Sequence, residues 1–379
     1  MCGIAGIWRA DDTAAEPALL GPMLDRILHR GPDHVGTWSD GRVAFGHTRL
    51  TILDLTERAN QPLFTADGRG VLIYNGEVYN YPALRAELEQ EGVSVESTGD
   101  SEVVLKALHH WGPEATIPRL DGMFAFAYLD RRGGEDVLWL ARDRFGIKPL
   151  LLAELGDELV FASEVKALLA HPRVPCRPDE RRLVGTLFTG RLEPHRTAFE
   201  GIRGLAPGTW MRVERHGVKE QSYFRPIDAI DVDRLVAAGR RKPGDGLEAL
   251  RDTFRESVRM HLASDVPLAT MCSGGVDSSL ITAFAKDDRP DLHAYVAESD
   301  WSESEGEQAV RVGKHLGVPV HRVHLGKEEF LRMWPEVVWF GDRPPAVASD
   351  VPLLKVCLLY TSPSPRDCGP DLVCRLLLE

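Results

Sequence analysis

The chain has 379 residues, with 45 Lys plus Arg against 57 Asp plus Glu and a formal charge of −12. At ~150 residues per domain that length allows two domains, each with its own core, and a composition 43% apolar and 27% charged excludes a wholly disordered chain. The acidic balance offers little to a phosphate backbone, so no nucleic acid is expected as a partner, and no apolar run approaches the roughly 20 residues that span a bilayer.

The N-terminus, MCGIAGIWRADD, turns charged before a signal-peptide core could form, and six cysteines in a chain this long do not make a disulfide framework. The expected compartment is the cytoplasm. Cys2 follows the initiator Met, whose removal would put a thiol and a free α-amine on one residue. An α-amine titrates at about 7.7–8.0, close enough to neutrality to serve as the base for that thiol. Beyond Cys2, short apolar runs alternate with Gly, Asp and Asn punctuation: VAFGHTRLTILDL, VLIYNGEVYN, GMFAFAYLD, DVLWLARD and ELVFASE. They predict strands of a largely antiparallel structure. Helical periods at YPALRAELEQEG and SEVVLKALHHWG complete an α+β domain over residues 2–215.

A stretch dense in Pro, Gly and charge, AAGRRKPGDG, marks a linker over 216–245. Leu247, Leu250, Phe254 and Val258 then form one helical stripe. Strand PLATMC, loop SGGVDSS, helix LITAFAK, strand LHAYVAE, helix SEGEQAVRVGKHLG and strand VPVHRVHL follow. This alternation predicts an α/β doubly wound parallel sheet over 246–356, with its ligand at the strand C-termini. Residues 357–379 show no period and no join to what precedes them. One codon assignment of Cys357–Asp367 spells a transposase-type sequencing adapter, and Asp371–Leu378 fits its far end, so 357–379 is expected to be an artefact. Cys357, Cys368 and Cys374 then leave the count, Cys2, Cys176 and Cys272 remain, and the native sequence is expected to continue past Val356. Thirteen histidines show no metal spacing. ESDWSESEGE (298–307) reads as a solvated helix start, Cys176 as a loop thiol and Cys272 as a buried strand residue.

Four further elements accompany Cys2: RGPD at 30–33, RLTILD at 49–54, YNGEVYN at 74–80 and GDSE at 99–102. Each alone has a plainer reading, such as a turn, a surface cation or an Asn-Gly hairpin. In this order they resemble the class II glutamine amidotransferases, whose first domain is an N-terminal-nucleophile hydrolase. The likeness extends through ARDRFGIKPL (141–150) and ELVFASEVKAL (158–168). The resemblance implies that Cys2 attacks the glutamine amide to form a thioester, while Asn75 and the Gly76 N–H stabilise the oxyanion. It further implies that Arg49 clamps the substrate carboxylate, that Glu77 and Asp100 hold its ammonium, and that backbone from Leu50 to Leu53 lines the pocket.

SGGVDSS (273–279) sits between a predicted strand and helix, where glycines let backbone approach an anion and a helix N-terminus adds its dipole. It lacks the Gly-Lys-Ser/Thr ending of a Walker A loop, and its plainest reading is a ligand-free turn. It resembles the pyrophosphate loop of N-type ATP pyrophosphatases. That implies Ser273, Gly274, Gly275 and Ser278 around the β/γ phosphates, Asp277 helping to hold Mg²⁺ on them, and backbone at Met271 and near Ala297 against adenine.

The two halves together resemble the glutamine-hydrolysing asparagine synthetase family. The resemblance implies ATP and Mg²⁺, glutamine and aspartate as small-molecule substrates, internal passage of ammonia, and a homodimer. A Gly-Glu-Gly-(Ala/Ser)-Asp-Glu element belonging to that family's second catalytic stretch does not occur here. The α/β domain is therefore expected to be incomplete, with only the glutaminase half active. Two alternatives stay open: amidation of another carboxylate, in a peptide, antibiotic or polysaccharide precursor, and a glutaminase or regulatory module that senses ATP.

Overall fold

A computed structural model describes residues 2–11, 13–189, 192, 195–239, 244, 246–299, 305–344, 348–361 and 373–374. The chain divides into two compact units, Met1–Ile230 and Asp231–Glu379. The strands of the first unit begin with β1 Gly3–Arg9, β2 His34–Asp40, β3 Val43–Arg49, β4 Leu63–Phe64, β5 Gly70–Val78 and β6 Gly122–Asp130. They continue with β7 Val137–Arg142, β8 Leu151–Glu154, β9 Glu158–Ala162, β10 Ile202–Gly204, β11 Thr209–Glu214 and β12 Gly217–Ser222. Its helices are α1 Leu20–Asp25, α2 Tyr81–Gln90, α3 Asp100–Trp111, α4 Pro113–Thr116, α5 Val165–Leu169 and α6 Glu180–Thr189.

Two antiparallel sheets form, in the orders β10-β8-β9-β1-β3-β2 and β12-β11-β7-β6-β5-β4. Side chains alternate across a strand, so one parity of each sheet faces the other sheet. Ile4, Trp8, Val43, Phe45 and Phe161 of the first thus pack on Val71, Ile73, Ala125, Ala127, Leu138 and Leu140 of the second. The opposite parity of the first sheet (Ala5, Ile7, Ala44, Val160) packs with Leu20, Met23 and Leu24 of α1 and Val165 and Leu168 of α5. That of the second (Leu72, Tyr74, Phe124, Phe126) packs with Leu84 of α2 and Val103, Val104 and Leu108 of α3. The result is a helix–sheet–sheet–helix sandwich, the N-terminal-nucleophile hydrolase architecture. Because both faces of each sheet are covered, β3 is buried at every position. Its sequence is consequently an unbroken apolar run with a polar end.

One strand lies inside the stretch that reads as linker. Gly217–Ser222 pairs with β11 along its whole length, although every residue in it is exposed. GVKEQS has no apolar face to betray a strand; backbone pairing at a sheet edge requires none.

The second unit contains α7 Val232–Gly239, α8 Leu247–Met260, β13 Leu268–Met271, α9 Val276–Asp288, β14 His293–Ser299, α10 Glu305–Leu316 and β15 Val320–Leu325. It continues with α11 Lys327–Gly341, α12 Asp350–Thr361 and the two-residue β16 Val373–Cys374. The sheet order is β15-β14-β13-β16, and every pairing is parallel. Val312 and Leu316 of α10 pack beneath Ala294, while Val356 of α12 packs on Ala269 and Val323 from the other face. Helices on both faces make this the doubly wound sheet that the alternating pattern predicts. Helix α12 runs five residues past Val356, with Leu354 and Leu358 packed one turn apart against Leu325 and Met333. Cys-Leu-Leu-Tyr extends a helix whatever its coding origin. The rest of that segment, 362–372 and 375–379, lies outside the described residues, as do 240–243 of the linker and 300–304 of the acidic run. Among the described residues, no helix is long and apolar enough to cross a membrane.

Candidate active site

Antiparallel pairing of Gly3 with Thr48 brings Cys2 alongside Leu50, just past the end of β3. The Leu50 N–H donates to Cys2 Sγ at 3.4 Å and the thiol faces Leu50 O at 3.6 Å. Arg30 Nε donates to the Cys2 carbonyl at 3.1 Å. RGPD is a turn that must lie flat on β3: a Cβ at Gly31 would meet Thr48 and Arg49 backbone at 2.4 Å. Cys2 and Arg49 fall on the same pleat parity as Ile4 and Phe45, and Asn75 and Glu77 on that of Val71 and Ile73. The apolar sandwich interior therefore turns polar at one end, where Cys2, Arg49, Asn75 and Glu77 fall, while Asp100 lies with Tyr74 on the helix side of the second sheet.

Asn75 is buried, and its Nδ2 has no hydrogen-bond acceptor among the described residues. An orphaned buried donor is uncommon in a folded protein and suits a group that arrives with the substrate. Neighbouring Gly76 is tightly enclosed: a Cβ would lie 2.4 Å from Met123 O and 2.7 Å from Phe124 Cα. His47 joins the sheets by donating from Nε2 to Tyr74 O at 3.1 Å. Burial holds its pKa at about 3, so the ring is neutral.

Arg49 is buried, with Nη1 donating to Thr56 O at 2.8 Å and Asn60 Oδ1 at 2.6 Å and Nη2 to the carbonyls of Leu53 and Asp54. It thereby shapes the Leu50–Leu53 loop, and a substrate carboxylate would compete with those carbonyls for the same N–H groups. Asp100, the first residue of α3, accepts from Tyr74 OH at 2.6 Å and the Val78 N–H at 2.9 Å. Burial pushes its pKa up against those bonds.

Behind the thiol lies a charged cluster that sequence reasoning did not single out. Glu164 accepts from Arg30 Nη1 at 2.5 Å and His29 Nε2 at 3.0 Å, and pairs with Lys166. Burial alone would raise its pKa; the His29 bond and the charges of Arg30 and Lys166 outweigh burial and hold it at about 2. Lys148 is buried close to both Arg30 and Cys2. The available signal was a set of charges flanking apolar runs, in RGPD, GIKPL and FASEVK.

In the second unit Met271 ends β13, and the SGGVDSS loop leads into α9. Ser278 Oγ meets Ser273 Oγ at 3.1 Å and accepts the Ser273 N–H at 3.2 Å. Gly274 has φ +79°, and a Cβ there would meet Gln308 Cβ at 2.6 Å and Ala309 N at 2.7 Å in α10. Ser279 Oγ is buried without a partner among the described residues. Ala297 lies on β14, toward the same strand ends as Met271. Asp277 is exposed in the first turn of α9. No group of three His, Cys, Asp or Glu side chains is placed to hold a metal among the described residues.

A family model for a glutamine amidotransferase domain matches residues 1–224, and one for asparagine synthase matches 249–362. The chain belongs to the asparagine synthetase family of glutamine amidotransferases. Asparagine synthetase (glutamine-hydrolyzing) 1 of Bacillus subtilis strain 168 is 33% identical over 362 residues, covering 93% of this chain and 55% of that protein. Asparagine synthetase (glutamine-hydrolyzing) 3 of the same organism is 31% identical over 381 residues, covering 94% and 59%. Amidase chry2 of Gibberella zeae is 30% identical over 378 residues, covering 91% and 54%. The chain thus spans about half the length of the curated relatives it matches.

Proposed function

We propose that this chain hydrolyses glutamine at Cys2, and that its second unit is the ATP-binding part of a synthetase that amidates a carboxylate with the ammonia released. The orphaned Nδ2 of Asn75, buried at the polar end of the sandwich that also holds the thiol, carries this reading. With Met1 removed, the α-amine of Cys2 takes the thiol proton and the sulfur attacks the glutamine amide carbon. The oxyanion that forms receives hydrogen bonds from Asn75 Nδ2 and the Gly76 N–H. As the C–N bond breaks, the α-ammonium returns its proton to the departing ammonia. Water then hydrolyses the thioester, releasing glutamate and restoring the thiol. Arg49, Glu77 and Asp100 hold the two ends of the amino acid.

In the second unit Ser273, Gly274, Gly275 and Ser278 would cradle the β/γ phosphates of ATP, with adenine near the Met271 and Ala297 backbone. Mg²⁺, held on those phosphates with help from Asp277, would neutralise charge on the departing pyrophosphate. A carboxylate oxygen attacks the α-phosphorus and expels pyrophosphate, and ammonia then displaces AMP from the acyl carbon. Aspartate is the acceptor that the asparagine synthetase relatives suggest, in a cytoplasmic homodimer, with this chain supplying the glutaminase half. Similarity to an amidase favours a second reading in which another carboxylate is the acceptor.

Cys2→Ala is expected to abolish glutamate release from glutamine; release at the wild-type rate would overturn the assignment. Aspartate-dependent AMP release by a chain carrying the family's full synthetase domain would separate the two acceptors.

A further inference from the structure

Asn75 presents its amide from a strand whose outer edge is closed, at that point, by side chains. Strand β5 pairs with β6 along its whole length, with Asn75 opposite Ala125. Strand β4 pairs with it at Leu63–Leu72 and Phe64–Val71, short of Tyr74. There two buried side chains take over the ladder. Gln61 Oε1 accepts the Tyr74 N–H at 2.6 Å, and His47 Nε2 donates to Tyr74 O at 3.1 Å. The carbonyl that His47 holds belongs to the peptide group joining Tyr74 to Asn75. Any rotation of that group turns the direction in which the Asn75 side chain leaves the strand.

His47 comes from the other sheet. It stands on β3, on the face that carries Phe45 and Arg49, and it is fully buried. Burial keeps the ring neutral, so Nε2 holds the proton that it donates to Tyr74 O, and Nδ1 has no partner among the described residues. A buried imidazole with one nitrogen unpaired is costly, so the position is fixed by the one bond it makes. Strand β3 thereby reaches both halves of the site: the Leu50 N–H meets Cys2 Sγ at 3.4 Å, and His47, three residues earlier, meets the peptide before Asn75. From the helix side, Asp100 accepts from Tyr74 OH at 2.6 Å and the Val78 N–H at 2.9 Å, bracing the same stretch of β5.

We propose that His47, helped by Gln61, is a positioning residue of the oxyanion site, which holds the Tyr74–Asn75 peptide so that Asn75 Nδ2 points where negative charge develops. The idea rests on the glutaminase reading above and deepens it. An oxyanion donor is effective when its direction is set before the charge appears, and a small misplacement removes much of its effect.

The test uses the full chain and a double-mutant cycle between His47 and Asn75. His47→Leu is expected to lower kcat for glutamine roughly tenfold or more with KM changed less than about twofold, and His47→Gln, which keeps an N–H for the carbonyl, to recover most of the loss. On an Asn75→Ala background the His47→Leu change is expected to cost less than about twofold, because the donor it misplaces is already gone. Wild-type kcat in His47→Leu, or an equal fold-loss with and without Asn75, would overturn the proposal. Should His47→Leu fail to fold, Gln61→Met, which removes the acceptor of the Tyr74 N–H, enters the same cycle with the same outcomes. The asparagines of the chain are Asn60, Asn75 and Asn80, so the Asn75 side-chain amide can be followed by NMR after labelling at asparagine and assigned by its loss in Asn75→Ala. It is expected to move in the His47→Leu or Gln61→Met chain and to return toward wild type in His47→Gln; an unmoved resonance would also overturn the proposal. That signal needs no turnover, so a wild-type chain inactive on glutamine would sink the glutaminase reading while the resonance still judged His47.

Discussion

Asn75 shows how much a single residue's surroundings decide. It sits in β5 between Tyr74, whose side chain points to the helix layer, and Gly76, where no side chain fits. Its amide therefore has one direction to go, into the sandwich, and its Nδ2 ends buried with no acceptor among the described residues. Asn75→Ala is expected to lower kcat for glutamine by ~10²–10³ with a much smaller change in KM, because the donor acts on charge that appears only in the transition state. Steady-state glutamate release checks this; a drop confined to KM would remove Asn75 from the oxyanion site. The sequence carried YNGEVYN as a motif, but not the burial of the amide. His47, Arg30, Glu164 and Lys148 stand inside quoted runs without a role of their own for a related reason. An isolated charged or imidazole side chain in an apolar run looks the same in sequence whether it faces solvent or a closed polar site.

At the level of elements, the apolar runs and the alternation of strand with helix were legible because each strand is buried on one or both faces and each helix on one. Strand β12 was not, since an edge strand held by backbone pairing alone needs no side-chain pattern. The end of α12 was also misread: CLLYT has no polar face, yet Leu358 falls one turn from Leu354 and the helix continues. The SGGVDSS loop is legible in part at both levels. Its glycines are visible in sequence, but only the fold shows that Gly274 needs both a left-handed φ of +79° and clearance from α10. Gly274→Ala is expected to weaken MgATP binding at least tenfold, since the added Cβ must displace helix backbone. Titration calorimetry with MgATP checks it, and unchanged affinity would mean that the nucleotide does not sit on this loop.

For the whole molecule, each unit closes its own core. The clusters that join the two sheets and their helices draw only on the first unit, and those around β13–β15 only on the second. Calorimetry is therefore expected to show two unfolding transitions, with MgATP raising one alone and a thiol-reactive glutamine analogue raising the other alone. A single transition raised equally by both would show one cooperative unit. The sequence by itself determined the fold classes and the family, and it named the residues proposed for the two sites. Those depend on residue types at fixed spacing: a second-position Cys, glycines where backbone must approach a ligand, and apolar periods that differ between strand and helix. Tertiary structure alone decided which polar residues share the closed end of the sandwich. That outcome follows from pleat parity and from the facing of two sheets, one carrying β1 and β3 and the other β5, so the placing of Cys2, Arg49 and Asn75 toward one end of the sandwich is a property of packing and not of any local run of sequence.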